Sequence, residues 1–164
     1  MAHAPGNSGR CRRDCRDLQS RHYRPGCHFE TEPRSAADIA VWFDRGLPIV
    51  VAESDETGVA AFASASPYTS RPCYAGIAEF SVYVASECRG QGAGDAVLRA
   101  FIDACARAGL HKLTSRVFPE NTASRKLLRR WGFAEIGIHR RHGQLDGIWR
   151  DCVIVELLLG ASDL

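Results

Sequence analysis

Between Arg89 and Gly94 the chain reads R-G-Q-G-A-G, three glycines in five positions, and then runs directly into D-A-V-L-R-A-F, which has helical spacing. The first N–H groups of a helix have no intrahelical partner and sit at the positive end of its dipole, so such a junction suits an anion. Glycine lets the backbone approach a phosphate closely, and Arg89 can add a charge-assisted contact from the rim. The pattern is neither a P-loop, which needs G-x-x-x-x-G-K-[ST], nor a dinucleotide fingerprint, because Gly90, Gly92 and Gly94 recur every second residue. A tight strand-to-helix connection and a phosphate site remain equal readings of these residues alone. A second constellation, Cys11, Cys15, His22, Cys27 and His28, has enough donors for a zinc ion. Its spacings match no common finger, so no metal is expected.

These groups need elements to position them. The chain has 164 residues, 45% of them hydrophobic, with a formal net charge of +2. That is one domain with a core, and a charge too small to argue for nucleic acid or a membrane surface. No apolar run approaches the roughly 18 residues of a membrane span, and the N-terminus has no apolar signal-like stretch, so a cytoplasmic protein is expected. Seven cysteines form an odd set without a C-x-x-C pair, which suits reduced thiols.

Residues 1–27 are polar, rich in Arg and Cys and without periodicity, and read as a poorly ordered or divergent leader. The domain is placed at 28–160. S-A-A-D-I-A-V-W-F-D-R-G, from Ser35 to Gly46, reads as a short amphipathic helix. L-P-I-V-V-A-E-S-D and V-A-A-F-A-S-A-S-P-Y flank a D-E-T-G turn as a hairpin. A-E-F-S-V-Y-V-A-S alternates Phe80, Val82 and Val84 against Glu79, Ser81 and Tyr83, the mark of a strand with one face in a core. After the glycines, Val97, Phe101, Ala104 and Ala108 form the stripe of a helix that Gly109 ends. K-L-T-S-R-V-F reads as a strand, N-T-A-S-R-K-L-L-R-R-W-G as a helix capped by Asn121, and F-A-E-I-G-I-H-R-R and W-R-D-C-V-I-V-E-L-L-L as two final strands around G-Q-L-D-G. The fold class is therefore α/β or α+β with a mixed sheet.

On these residues the chain resembles a known family. S-V-Y-V-A-S-E-C-R-G-Q-G-A-G-D-A-V-L is similar to the acyl-CoA-binding segment of the GNAT superfamily of N-acetyltransferases, whose signature [RQ]-x-x-G-x-[GA] is met by Arg89, Gly92 and Gly94. F-E-T-E-P at 29–33, S-R-P-C-Y-A-G-I-A-E-F-S-V-Y-V at 70–84, P-E-N-T-A-S-R-K-L-L-R-R-W-G-F at 119–133 and L-D-G-I-W-R-D at 145–151 resemble its phosphinothricin, methionine-sulfoximine and arsinothricin branch. The resemblance covers about residues 28–158. It implies a mixed, mostly antiparallel sheet flanked by helices, with an abbreviated N-terminal strand and helix, and commonly a homodimer.

It also implies roles. Acetyl-CoA is the co-substrate, its pyrophosphate on the backbone of Arg89, Gly90, Gln91, Gly92, Ala93 and Gly94, its pantetheine arm along Val82, Tyr83 and Val84, with Asn121 and Ser124 beside the arm. Asn121 is equally well explained as a helix cap, and the two roles are compatible. Glu79 matches the family's base. An α-ammonium is largely protonated near neutral pH and must lose a proton before it attacks, whereas a Glu on an alternating strand is otherwise simply solvated. A backbone N–H near Val84 is the expected oxyanion donor. Phe29, Arg71 and Tyr74 match the residues around the amino-acid acceptor, and the Arg fork suits a carboxylate or phosphinate.

The chain departs from the pattern at two side chains. Leu128 stands where the branch has a His to protonate the departing thiolate, and Thr69 stands where relatives often carry a second basic residue. The expected function is acetyl transfer to the amine of a small amino-acid-like acceptor, serving detoxification. The alternatives are an acyl-CoA-binding module with weak catalysis, and a metal- or nucleic-acid-binding role for the leader.

Overall fold

A computed structural model describes residues 46–54 and 58–160. Among these, the strands are β1 (Ile49–Ser54), β2 (Gly58–Pro67), β3 (Ile77–Val84), β4 (Lys112–Val117), β5 (Ala134–Leu145) and β6 (Ile148–Leu158), and the helices α1 (Ala93–Arg107) and α2 (Thr122–Arg130). The six strands form one sheet in the order β1-β2-β3-β4-β6-β5, in which only β3 and β4 run parallel. The mixed, mostly antiparallel sheet read from the sequence is present. The cysteines and histidines weighed as zinc donors, Phe29 and the 35–46 helix lie outside the described residues, apart from Gly46, as does the leader.

The hairpin of β1 and β2 pairs Ile49 with Ser64 and Val51 with Phe62. β2 is buried on both faces. Ala61, Ala63 and Ala65 are small enough to lie under α1, which packs against β1, β2 and β3, and Phe62 fills the opposite face. On α1 the fully buried positions are Ala93, Val97, Leu98, Phe101 and Cys105. The predicted stripe thus holds at Val97 and Phe101, but Ala108 lies past the helix and is exposed. Leu98 and Cys105 complete the buried face, because an apolar stripe on a 3.6-residue repeat covers about 100° or more rather than one line.

The last hairpin is longer than the sequence suggested. Gly143, Gln144 and Leu145 belong to β5, and the turn is only Asp146 and Gly147, both with positive φ (50° and 78°). This is the two-residue, doubly left-handed turn that matches strand twist and favours Asp-Gly. Gly76 has a steric reason. A Cβ there would stand 2.2 Å from Nδ1 of His111, whose backbone N–H donates to the Gly76 carbonyl at 2.9 Å and so starts the β3–β4 pairing.

Burial pushes the Cys105 thiol up to about 12 and raises that of Cys152, and Cys73, Cys88, Cys105 and Cys152 form no disulfide. No helix among the described residues is long and apolar enough to cross a membrane.

Candidate active site

β3 and β4 pair only from Ile77–Lys112 to Glu79–Thr114 and then part. The Ser115 hydroxyl donates to the Phe80 carbonyl at 2.8 Å at that point, satisfying an acceptor that the lost ladder leaves behind. In an extended strand the N–H and C=O of one residue point to the same side and alternate residues point the same way. Gly76 and Phe80 face β4 through their carbonyls, whereas Ile77 and Ala85 bond toward β2. Val82 and Val84 therefore direct their backbone N–H and C=O groups into the gap between β3 and β4, where no described strand meets them. This is a free strand edge inside the sheet, open to an extended, amide-bearing ligand.

The glycine turn closes the far end of that edge. After one 3-10 turn, Ser86–Cys88, the chain enters Arg89–Gly92, and the first bond of α1 runs from the Ala96 N–H to the Gly92 carbonyl at 2.9 Å. The N–H groups of Ala93, Gly94 and Asp95 thus project from the helix start without an intrahelical partner. Asp95 would ordinarily compete for them, but Arg130 holds both its oxygens at 2.8 Å and Trp131 donates to one at 3.2 Å, which clips α1 to α2. The start of α1 is thus left without a side-chain cap.

The three glycines have separate causes. Gly90 and Gly92 adopt positive φ (73° and 85°), with nothing within 4 Å of an added Cβ, so their requirement is conformational. Gly94 is helical, and an added Cβ would stand 3.1 Å from Leu127 and 3.3 Å from Val84, so it allows close packing of α1 on α2 and β3. Gly92→Ala should bring a left-handed strain of about 1–2 kcal/mol and weaken acetyl-CoA binding in calorimetry. Gly137→Ala, also with open space around the added Cβ, is the control; equal affinities in the two variants would remove the turn from the binding site.

The other predicted cofactor residues divide between side chain and backbone. Ala93 is 1% exposed, so only its N–H can face a ligand. The Gln91 amide donates to the Glu87 carbonyl at 2.7 Å and braces the turn. Asn121 caps α2, its Oδ1 accepting the Ser124 N–H at 3.2 Å, which leaves its amide nitrogen for another partner. Arg125 donates to the Pro119 carbonyl at 2.8 Å and to both oxygens of Glu135 (2.9 and 2.8 Å), holding the loop ahead of Asn121 against β5. Hydrogen bonds from Arg125, and then from Arg129, lower the Glu135 carboxyl to about 2. A depressed carboxyl stabilises the fold above its unfolded value and loses that contribution as pH falls through its folded one. Glu135→Gln should therefore be less stable than the parent at pH 7, with the difference shrinking between pH 4.5 and about 2 in urea titrations; a difference independent of pH would refute the ion-pair cause.

Leu128, read from sequence as the missing thiolate acid, is 5% exposed and part of the core. The position is turned inward, so the fold as well as the side chain withholds a proton there.

On the same face of the sheet as Glu79, an open cleft of about 520 Å3 is lined by residues that include Tyr68, Thr69, Arg71, Tyr74, Arg116 and His142. Arg71 and Tyr74 flank the short turn before β3, and Tyr74 meets Tyr68 edge-to-face at 5.8 Å. The Arg71 guanidinium has no partner among the described residues. Glu79 is paired in parallel register with Thr114, and Arg116, two residues further along the same face of β4, donates to its Oε2 at 2.5 Å. Oε1 carries no hydrogen bond among the described residues.

Arg116, His139 and His142 are the ionisable cleft residues that sequence reasoning missed. Residues three apart on a strand ordinarily face opposite sides. β5 carries two extra residues between His139, opposite Cys152, and Gly143, opposite Arg150. Arg141 takes φ 49° and its N–H is held by Asp151 at 2.8 Å. This bulge turns both imidazoles to the cleft, with ring centroids 4.7 Å apart. Partial burial, then the charges of Arg116 and His139, lower the His142 pKa against the opposing pull of Glu79. The positive φ of the bulge falls on Arg141 rather than on a glycine, so the residue types did not announce it.

A model of the acetyltransferase (GNAT) family matches residues 13–133. The L-methionine sulfoximine/L-methionine sulfone acetyltransferase of Pseudomonas aeruginosa is 34% identical over 131 residues, 77% of this chain and 76% of that protein. The phosphinothricin N-acetyltransferase of Streptomyces coelicolor is 31% identical over 134 residues, 78% of each. Among solved structures, a GNAT superfamily phosphinothricin acetyltransferase from Sinorhizobium meliloti, in complex with AcCoA, superposes with a TM-score of 0.86 at 25% identity, covering 97% of this chain and 88% of that one.

Proposed function

Since the chain belongs to the GNAT acetyltransferase family and is an acetyl-CoA-dependent N-acetyltransferase, we propose that its acceptor is the α-amine of a small amino acid of the phosphinothricin, methionine-sulfoximine or arsinothricin type. The observation that carries this reading is the free edge of β3, with an anion-binding turn at one end and the Glu79–Arg71 cleft at the other. The turn from Arg89 to Gly94 receives the pyrophosphate through backbone N–H groups. Val82 and Val84 offer the peptide-like arm a strand to pair with, and an N–H near Val84 donates to the thioester oxygen as negative charge develops there. Asn121 and Ser124 border the arm.

Glu79 takes the proton of the acceptor's ammonium through its free Oε1, directly or through water, so that the amine lone pair can attack the carbonyl carbon. The amine–carbon bond forms as the carbon–sulfur bond breaks. With Leu128 in the core, solvent protonates the departing thiolate. Arg71 reads the acceptor's carboxylate with its fork, and Tyr74 and Phe29 line the pocket.

The position of Leu128 also favours the second reading, an acyl-CoA-binding module with weak catalysis. Incubating the protein with acetyl-CoA and a panel of phosphinothricin, methionine sulfoximine, methionine sulfone and ordinary amino acids, while following free thiol, separates the two. Thiol release with one or more of the amino-acid analogues is expected. Acetyl-CoA binding without turnover on any acceptor selects the module instead, and detoxification falls with it.

A further inference from the structure

The acceptor cleft holds two guanidiniums where the sequence pattern offered one. Thr69 removes the expected second cation from the turn before β3, but Arg116 enters the same cleft from β4, alongside Arg71, His139 and His142, and Glu79, on the same face, is the carboxylate that contacts it. One Arg is enough for the α-carboxylate of an amino acid. The second is held by Glu79, through a single nitrogen and a single oxygen. That pair is partly open to solvent, 42% for Arg116 and 29% for Glu79, and exposed pairs of this kind are weak. A carboxylate or phosphinate that engages the guanidinium with two oxygens makes a stronger contact than the one-point contact with Glu79. While Oε2 of Glu79 accepts the Arg116 N–H, one of its two acceptor sites is taken and fewer remain for an ammonium N–H.

We propose that Arg116 is a specificity-determining residue that receives a second acidic group, carried on the acceptor's side chain, and that docking of this group draws Arg116 off Glu79 and frees both carboxylate oxygens. This rests on the acetyl-transfer reading of the cleft. Arg71 takes the α-carboxylate, Arg116 takes the side-chain anion, and the amine lies between them beside Glu79. Acceptors with neutral side chains leave Glu79 half engaged, so selectivity for dianionic acceptors follows from the resting ion pair.

The test compares the parent with Arg116→Gln and Arg116→Lys, using L-glutamate and L-glutamine as acceptors of equal length. The ratio of kcat/KM for glutamate over glutamine should fall about ten- to hundredfold in Arg116→Gln, mainly through KM for glutamate, and by less in Arg116→Lys, which keeps the charge without the fork. A second measurement needs no turnover. Glutarate, which has both acid groups and no amine, is titrated calorimetrically into each protein in the presence of CoA, and should bind the parent and bind Arg116→Gln about tenfold more weakly. An unchanged ratio, or glutarate that does not bind the parent or binds both proteins equally, overturns the assignment. Absence of turnover on every acceptor, with the glutarate difference intact, defeats the acetyl-transfer reading and leaves Arg116 as the anion receptor.

Discussion

Glu79→Gln should lower acetyl transfer by about 10²–10⁴-fold, the usual worth of a positioned general base, while acetyl-CoA binding persists. The substitution preserves shape, and its amide oxygen can still accept from Arg116, so the strand and the cleft are undisturbed. What is lost is the ability to take up a proton. The prediction singles out Glu79 because Oε1 has no hydrogen-bond partner among the described residues while Oε2 is held by Arg116 at 2.5 Å. The sites proposed for the acyl donor lie further along β3 and on the turn, beyond the reach of this change. Thiol release under saturating acetyl-CoA measures the rate, and calorimetry measures the affinity. Turnover in the variant equal to that of the parent would assign the proton to another group, and His142 in the same cleft is the first to examine.

Phe80→Ala should destabilise the fold by about 3–5 kcal/mol, the range for removing a buried aromatic side chain. Phe80 follows Glu79 on β3 and points to the opposite face, where its ring lies 5.8 Å from Phe101 of α1 and 5.0 Å from Phe133 just before β5. Phe80 is 3% exposed. Its removal leaves a void between α1, which the glycine turn leads into, and the strand that carries the two histidines. A domain of this size has about 5–15 kcal/mol in total, so the variant should unfold at much lower urea and lose activity at temperatures the parent tolerates. A loss under about 1 kcal/mol, little more than one buried methylene, would mean that the neighbouring rings close over the gap and that Phe80 is not the link between these elements.

Several elements were legible because their signals are local. Gly90 and Gly92 needed left-handed backbone, Asn121 was a cap whichever ligand it also meets, and the alternation through Phe80, Val82 and Val84 set the faces of β3. The resemblance placed Glu79, Arg71 and Tyr74 at one site, and Arg71 and Tyr74 do line one cleft on the face that Glu79 occupies. Tertiary context moved other boundaries. The stripe on α1 took in Leu98 and Cys105 because the helix lies against three strands at once, and the last hairpin tightened to Asp146-Gly147 because two residues suffice to reverse a twisted pair.

The sequence by itself determined the order of strands and helices among the described residues and the glycine-led start of α1, since each depends on neighbours a few positions apart. Only the tertiary structure decided what those residues meet. The parting of β3 from β4 turns Val82 and Val84 into a free edge, the parallel register brings Arg116 onto Glu79 across 37 positions, and a bulge pinned by Asp151 swings His139 and His142 to one side. These are contacts between segments remote in the chain, fixed by sheet register and by packing on both faces, and no periodicity within any one segment encodes them.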